Sequence, residues 1–329
     1  MRTTNYLTLD TETATLPFVN EWNLTSEQKK KIAIAKPLVY DIGWTVANRT
    51  QGIIKKRNFL IAETFSVPSI FNTAYYREKR PLYLDMIAKG EAIVLPWDNV
   101  MDILVEDLEE CKYITAYNAM FDFKKAIPFT ELYIRNLYSP KYHEWENLQR
   151  EFCERILSNP PRDKNPDFDS ENFLFRNRHY TMIDVWGIAC SHLLNNDKFR
   201  CSCINNGRIS PSGLYFSTSA ETCFQYLMEN YGFIEDHTAL SDAEIETEIL
   251  FKALKRGKIE TGINYFPYKM LGETVDFVVD SSKATEAMAE IVANKIREYL
   301  PENFEHEELT RYQKQVVGKL LRVLDRWGE

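Results

Sequence analysis

Residues 38–65, LVYDIGWTVANRTQGIIKKRNFLIAETF, decide the fold of this chain. Two strand-like runs, residues 38–47 and 53–65, flank a polar segment at residues 48–52 that has the composition of a hairpin turn. A third run, residues 5–10 (NYLTLD), alternates apolar with polar side chains and ends in an acidic residue. Three strands in succession predict an antiparallel meander at the start of a mixed sheet.

Helix and strand patterns alternate downstream of the meander. Residues 72–90 and 98–111 are predicted helices, and residues 112–117 (KYITAY) are a short apolar strand that leads into a helix over 119–134. Residues 180–194 (YTMIDVWGIACSHLL) predict another strand that runs into a helix. This alternation is typical of an α/β domain, in which connecting helices cover the faces of the sheet.

Two regions depart from that alternation. Residues 136–179 combine an amphipathic piece with a loop rich in Pro, Asp and Asn, and we interpret them as an insertion. Its aromatic and basic residues either grip a single nucleic-acid strand or are ordinary surface. Residues 258–329 begin as a linker-like stretch and end in two predicted helices, 283–299 and 306–327. We therefore predict a main domain over 1–257 and a C-terminal helical extension.

Two local patterns add detail between these regions. Thr218 with Glu221, and Ser241 with Glu244, have the spacing of capping boxes and predict helices that begin there. Residues 201–217 are polar and rich in Gly and Ser, and they predict a loop.

Composition limits the class of protein. Hydrophobic residues make up 44% of the 329 residues, which is ample for a core, and no run approaches the ~18 apolar residues of a membrane span. With no signal-peptide pattern, we predict a soluble, cytoplasmic protein without membrane contact. The net charge of −8 argues against a basic protein that coats nucleic acid. It is compatible with an enzyme whose carboxylates hold cations. The six cysteines lack disulfide-framework spacing and fit a reducing compartment.

The candidate catalytic residues are a few polar side chains that are far apart in the sequence. Asp10 and Glu12 stand at the end of the first strand, and alternate residues of a strand point to the same side, so both carboxylates could bind one cation. Hard oxygen ligands of this kind suit Mg²⁺ or Mn²⁺. A solvated strand end is the alternative for this pair taken alone.

The other candidates lie where a strand meets a helix. Asn118 follows the strand at 112–117 and could simply cap the next helix, whereas Asp122 is one turn further on and could face the same edge. His237 lies in a polar turn before the helix that carries Asp242 in its first turn. That arrangement lets Asp242 bind a metal while His237 acts on an attacking water.

These segments, in this order, resemble the three motifs of the DEDDh exonucleases, a family that includes proofreading subunits, RNase T and oligoribonuclease. LTLDTETAT (7–15) resembles the first motif, AYNAMFD (116–122) the second and HTALSDA (237–243) the third, while TMIDVWGIA (181–189) resembles the segment between the last two. The chain departs from the usual pattern in having no Thr-Gly after the first motif and Tyr117 where His is common.

The resemblance implies a ribonuclease H-like fold, with a mixed five-stranded sheet flanked by helices. It also implies that Asp10, Glu12 and Asp242 bind the catalytic metal, that Asp122 supports a second ion, and that His237 is the general base. The cofactors would be two Mg²⁺ or Mn²⁺ ions. The residues expected to contact substrate lie in the first two motifs: Thr11, Thr13 and Asn118.

The implied activity is 3′→5′ hydrolysis of single-stranded DNA or RNA ends to nucleoside 5′-monophosphates, with DNA favoured over RNA. The alternatives are a proofreading or end-binding accessory subunit of a polymerase or repair complex, and an RNA-trimming exoribonuclease. The last helix carries an apolar stripe (Leu309, Tyr312, Val316, Leu320 and Val323 or Leu324). This stripe could pack on the main domain, form a homodimer or recruit a polymerase or repair partner.

Overall fold

The computed structural model describes residues 4–158, 171–254, 261–263, 266–300 and 310–328. At its centre is one seven-stranded sheet. The strands are β1 (Tyr6–Ala14), β2 (Leu38–Asn48), β3 (Gly52–Ile61), β4 (Ile93–Leu95), β5 (Tyr113–Ala116), β6 (Asn172–Phe175) and β7 (Arg178–Asp184).

The sheet is mixed, with the spatial order β4-β3-β2-β1-β5-β7-β6. The predicted meander is confirmed, because β1 pairs antiparallel with β2 and β2 pairs antiparallel with β3. On the other side of β1, β5 and then β7 continue the sheet in parallel. The predicted number of strands is wrong, since the edge strands β4 and β6 have only 3 and 4 residues and are too short for a periodic pattern to reveal.

Helices fill the connections between the strands and the remainder of the chain. The α-helices are α1 (Ser26–Ala35), α2 (Ala62–Phe65), α3 (Pro68–Phe71), α4 (Arg80–Lys89), α5 (Trp97–Glu109), α6 (Ala119–Phe121), α7 (Ile127–Leu137), α8 (Tyr142–Ser158), α9 (Val185–Leu193), α10 (Asp197–Asn205), α11 (Ala220–Leu227), α12 (Ala239–Ala253), α13 (Thr274–Asp280), α14 (Glu286–Tyr299) and α15 (Arg311–Trp327). Short 3₁₀ turns occupy Pro17–Glu21, Arg77–Lys79 and Pro267–Leu271, and a π-helical segment spans Asp122–Ala126.

The region predicted as an insertion is partly built into the sheet. Helix α8 contributes Cys153 to the core, and β6 pairs with β7 as the edge strand of the sheet. Of the residues considered for gripping a strand, Trp145 packs on Tyr133 with 5.6 Å between ring centres, and Arg150 lies 4.6 Å above the ring of Phe18. These two side chains therefore make contacts within the protein. Residues 159–170 of this region lie outside the described residues.

The described residues divide into two compact units, and the division differs from the predicted boundary at 257. The first unit takes in described residues up to 185, together with 235–251 and 261–263. The second takes in 186–234, 252–254 and the described residues from 266 onward. The segment after β7 therefore belongs with the C-terminal helices.

The second unit is helical. Helix α15 packs against α13 and α14, and its stripe residues Val316, Leu320 and Val323 are buried. Tyr312 and Leu324 remain exposed, and Leu309 lies outside the described residues. Two predicted loops contain helices instead: α10 enters the segment 201–217, and α13 lies within the linker-like stretch. Helix α13 has only seven residues, and only five residues of α10 fall within 201–217, so neither segment shows a clear helical period.

Two predictions from composition can be compared with the structure. The six cysteines are free, in agreement with their lack of disulfide spacing. Within the described parts of the chain, no helix is long and apolar enough to cross a bilayer.

Candidate active site

The acidic residues of the first motif lie on β1, beyond the part of that strand that pairs with β5. The two strands pair in parallel as far as Thr8 and Thr115, so Asp10 and Glu12 extend past the carboxyl end of β5. On the other side, Glu12 lies opposite Asp41 of β2, and the register shifts between Glu12 and the next residue. Bulges of this kind re-aim side chains and are frequent beside active sites.

Asp122 enters the site from the chain segment that follows β5. It begins the π-helical segment and is buried, with a relative exposure of 2%. The Thr11 hydroxyl donates a hydrogen bond of 2.6 Å to Asp122 Oδ1, which ties this carboxylate to β1. Irregular helical turns of this type occur often at functional sites.

The three residues predicted to contact substrate differ in exposure. Thr11 is buried, and its hydroxyl donates a hydrogen bond to Asp122, so it helps to position that carboxylate. Thr13 is half-buried just past the bulge. Asn118 is exposed and has a φ of 62°, and its side chain makes no capping hydrogen bond. The alternative reading of Asn118 as a side-chain cap is therefore wrong.

Helix α12 supplies Asp242 in its first turn. The predicted cap, Ser241, lies inside the helix, because the helix begins two residues earlier at Ala239. The acceptor at this end is instead Asp41 on β2, whose Oδ2 receives a 3.0 Å hydrogen bond from the Ala239 N–H. A carboxylate at a helix N-terminus is stabilised by the unpaired N–H groups there.

Close packing holds the start of α12 against β2. A Cβ added to Gly43 would lie 2.2 Å from the backbone nitrogen of Leu240, so no other residue fits there without displacing the helix. About two turns further along α12, the hydroxyls of Thr45 and Thr247 are 2.6 Å apart and hydrogen-bonded. The position of Asp242 is therefore set by contacts with a strand that is distant in sequence.

His237 lies at the tip of the turn before α12. Its backbone has a φ of 49°, a left-handed conformation that costs a residue with a Cβ about 1–3 kcal/mol. Its ring is stacked on Tyr76, with 4.7 Å between ring centres and 13° between planes. Its Nδ1 lies 3.6 Å from Glu235 Oε2, and the side chain is 37% exposed. The imidazole is thus fixed in place and still accessible.

Lys79 binds the backbone of this turn. Its Nζ donates hydrogen bonds to the carbonyl oxygens of Asp236 and His237, the latter at 3.3 Å. The same ammonium lies 4.3 Å from the centre of the Tyr76 ring. Burial raises the pKa of Glu12 and of Asp242, and the positive charge of Lys79 partly opposes that rise.

Burial raises the pKa values of the carboxyl groups, and their mutual repulsion adds to the effect. Burial and the charges of Glu246 and Asp122 raise the pKa of Asp10 well above its usual value. Burial and Asp242 do the same for Glu12. Burial raises the pKa of Asp122 to about 7 and that of Asp242 to about 8. Such a cluster is stable at neutral pH when protons or cations offset its charge.

The donor set fits a divalent cation. Glu12, His237 and Asp242 each place one ligand atom within 4.8 Å of the others, and among the described residues they are the one set of three that does so. Asp242 Oδ1 is buried and accepts no hydrogen bond within the described part of the chain. An orphaned carboxylate oxygen among other carboxylates is suited to a hard ion such as Mg²⁺ or Mn²⁺.

The sequence reasoning missed several residues around these groups. Glu246 is buried, and its Oε2 accepts the Tyr117 N–H at 3.0 Å. Its position four residues after Asp242, on the same helix face, was a usable signal. Asp41 stood out only as an acidic residue within an apolar run. Tyr76 and Lys79 carried no signal, because their place beside His237 depends on long-range contacts.

Comparison of the chain with protein-family models, with curated proteins and with solved structures gave no match. What the site can do therefore has to be inferred from its residues and their arrangement.

Proposed function

We propose that this chain is a metal-dependent 3′→5′ exonuclease that removes nucleoside 5′-monophosphates from the ends of single-stranded nucleic acid. One observation carries the proposal. Acidic residues from three distant segments, Asp10 with Glu12, Asp122 and Asp242, interact electrostatically at one end of the sheet, with His237 beside them. A purely structural cluster would gain nothing from a strained, accessible histidine at its edge.

The topology supports the same proposal. The strand order β3-β2-β1-β5-β7, with β2 antiparallel to its neighbours, is what the resemblance to ribonuclease H-like exonucleases leads us to expect. The acidic residues lie beyond the carboxyl ends of parallel strands, where open α/β sheets bind their ligands. The substrate end would therefore approach from that edge of the sheet.

Asp10, Glu12, Asp122 and Asp242 would hold two Mg²⁺ or Mn²⁺ ions. When bound, such ions polarise the scissile phosphate and lower the pKa of an attacking water. Asp122 is kept in place by Thr11, and Asp242 by the contacts of α12 with β2. The protein's own contribution is thus to hold its carboxylates close together against their mutual repulsion.

His237 would accept the proton of the attacking water. Its ring is partly exposed, so water and substrate can reach it, and Glu235 lies near Nδ1. A carboxylate at Nδ1 favours the proton on that nitrogen and leaves Nε2 as the basic one. Because His237 also lies within ligand distance of Glu12 and Asp242, metal binding by this residue is the competing role that an experiment has to separate.

The test uses 5′-labelled single-stranded DNA and RNA with Mg²⁺, Mn²⁺ or EDTA. We expect a ladder that shortens from the 3′ end, is absent in EDTA and is absent in Asp10→Asn. The matched control is Glu91→Gln, which neutralises an exposed carboxylate elsewhere in the same unit. Equal digestion by Asp10→Asn would show the site to be wrong, and intact substrates under all conditions would show the function to be wrong.

His237→Ala separates the two roles of the histidine. We expect it to retain metal affinity, measured by calorimetry, and to lose about 10²–10⁴-fold in turnover, which is the usual contribution of a general base. A loss of metal affinity would identify His237 as a ligand instead. The DNA and RNA arms of the same assay decide which polymer is preferred.

A further inference from the structure

We propose that Tyr76 and Lys79 are positioning residues that hold the His237 imidazole in its reactive orientation. The inference rests on the proposed function, since it assigns a purpose to the orientation of the base. It concerns a segment, residues 75–80 (YYREKR), that none of the recognised motifs includes.

The turn before α12 needs support from outside. His237 adopts a left-handed backbone conformation at φ 49°, which side chains with a Cβ disfavour. Such a conformation persists only where neighbouring groups impose it. The sequence of the turn itself, EDHTALSD, contains no glycine that would adopt it freely. The restraint has to come from residues that pack against the turn.

Tyr76 restrains the ring, and Lys79 restrains the backbone. The near-parallel stack on Tyr76, with planes 13° apart, limits rotation of the imidazole. The Lys79 ammonium donates hydrogen bonds to the carbonyl oxygens of Asp236 and His237, which belong to the two peptides that flank the His237 Cα. The imidazole could leave its position in two ways, by rotation of the ring or by rotation of the backbone. The two restraints oppose one of these movements each.

Lys79 also couples the two restraints. Its ammonium lies 4.3 Å from the centre of the Tyr76 ring, a distance at which a cation is attracted to an aromatic face. The same side chain therefore holds Tyr76 in position to stack on His237. Loss of either residue should loosen the imidazole without removing an acidic residue of the site.

The kinetic experiment compares Tyr76→Leu with Tyr76→Phe in the full chain, with Mn²⁺ and single-stranded DNA. A phenylalanine ring can keep the stack, so Tyr76→Phe should retain kcat within about twofold. Tyr76→Leu should lower kcat by about tenfold to a hundredfold with little change in KM, because misplacing a reacting group by about 1 Å has effects of that size. The matched control is Leu84→Ala, which removes an exposed apolar side chain on α4 in the same unit.

Lys79→Met tests the second restraint. A fall in kcat at constant KM and unchanged metal affinity would support positioning. A loss of metal affinity would show that Lys79 acts through the charges of Glu12 and Asp242, and a rise in KM at constant kcat would show that it binds substrate; either result would overturn its assignment. An unchanged kcat in Tyr76→Leu would overturn the assignment of Tyr76.

A spectroscopic measurement is independent of turnover. The stacked Tyr76 ring should shift the His237 ring protons upfield in the NMR spectrum, and with five histidines in the chain their signals can be assigned by comparison with His237→Gln. The upfield shift should disappear in Tyr76→Leu and persist in Tyr76→Phe. Its absence from the wild-type spectrum would refute the stack.

The two hypotheses fail in distinguishable ways. If the wild-type protein cuts no substrate, the proposed exonuclease activity is wrong, whatever the histidine signals show. If the wild-type protein cuts DNA and Tyr76→Leu cuts it with the same kcat, only the positioning role is wrong.

Discussion

Raising the pH in the absence of divalent metal should destabilise this protein, and metal should reverse the effect. The cause is the group of carboxyl residues around Asp10, whose pKa values are raised in the folded state by burial and mutual repulsion. A group with a raised folded-state pKa stabilises the fold below its unfolded pKa. That stabilisation is lost as the pH rises through the folded value.

The pKa of Asp122 gives the size of this effect on the unfolding free energy for one carboxyl group. Its pKa is about 7 in the folded protein, against an ordinary value of 3.8. The difference corresponds to about 4 kcal/mol of unfolding free energy, which is fully present below about pH 4 and lost above about pH 7. Since small domains have total stabilities of about 5–15 kcal/mol, the loss would be a large fraction of the whole.

Urea unfolding in EDTA, followed from about pH 4 to about pH 9, measures this loss. We expect the unfolding free energy to fall across that range in EDTA and to fall much less with Mn²⁺, which binds the ionised carboxylates of the folded state. Asp122→Asn removes one of the titrating groups and should make the EDTA curve less steep, while the other carboxyl groups still contribute. Glu91→Gln, at an exposed position, should leave the curve unchanged.

A flat EDTA curve would refute this prediction, because it would mean that the pKa values of the carboxyl groups are not raised in the folded state. So would a curve on which Mn²⁺ has the same effect at low and high pH. In that case the ion would be bound at a site unconnected with these residues.

Further predictions concern single residues, each measured by urea unfolding in EDTA. Gly43→Ala should destabilise the protein by about 3 kcal/mol, because the new methyl group would meet the backbone of α12 at Leu240. His237→Gly should be more stable than His237→Ala by about 1 kcal/mol, because glycine accepts the positive φ at that position and alanine does not. Thr11→Val should lower stability by about 2 kcal/mol at pH above 7, where Asp122 loses a hydrogen bond to its charged form.

Matched substitutions control these measurements. Gly232→Ala adds a methyl group in open space and should change stability by less than about 0.5 kcal/mol. Thr11→Ser keeps the hydroxyl and should retain most of the stability. A Gly43→Ala protein as stable as the wild type would mean that α12 does not rest on β2. Equal stability of the glycine and alanine variants at position 237 would mean that the turn is not strained.

The elements that could be predicted from the sequence are those with a long periodic pattern of their own. The meander of β1, β2 and β3 has long alternating or apolar runs, and α5 has a clear helical stripe, so both could be read directly. The short edge strands could not, since three or four residues do not establish a period. The cap of α12 was misplaced because Asp41, which fills that role, comes from β2 instead of the preceding turn.

In the candidate site, too, some residues could be predicted from the sequence and others could not. Asp10, Glu12, Asp122, His237 and Asp242 could be chosen because strand ends and helix starts indicate where side chains meet. Their neighbours could not be chosen in that way. Tyr76 lies in a segment predicted as helix that in fact contains turns before α4, and its contact with His237 joins residues far apart in the chain. Only the folded arrangement brings them together.

The docking of α12 on Gly43 has a consequence for synthesis of the protein. All seven strands precede residue 185, whereas His237 and Asp242 come much later. A chain emerging from the ribosome can therefore complete its sheet while it still lacks the histidine and the last acidic residue. The proposed nuclease would stay inactive until α12 is made and packs on β2.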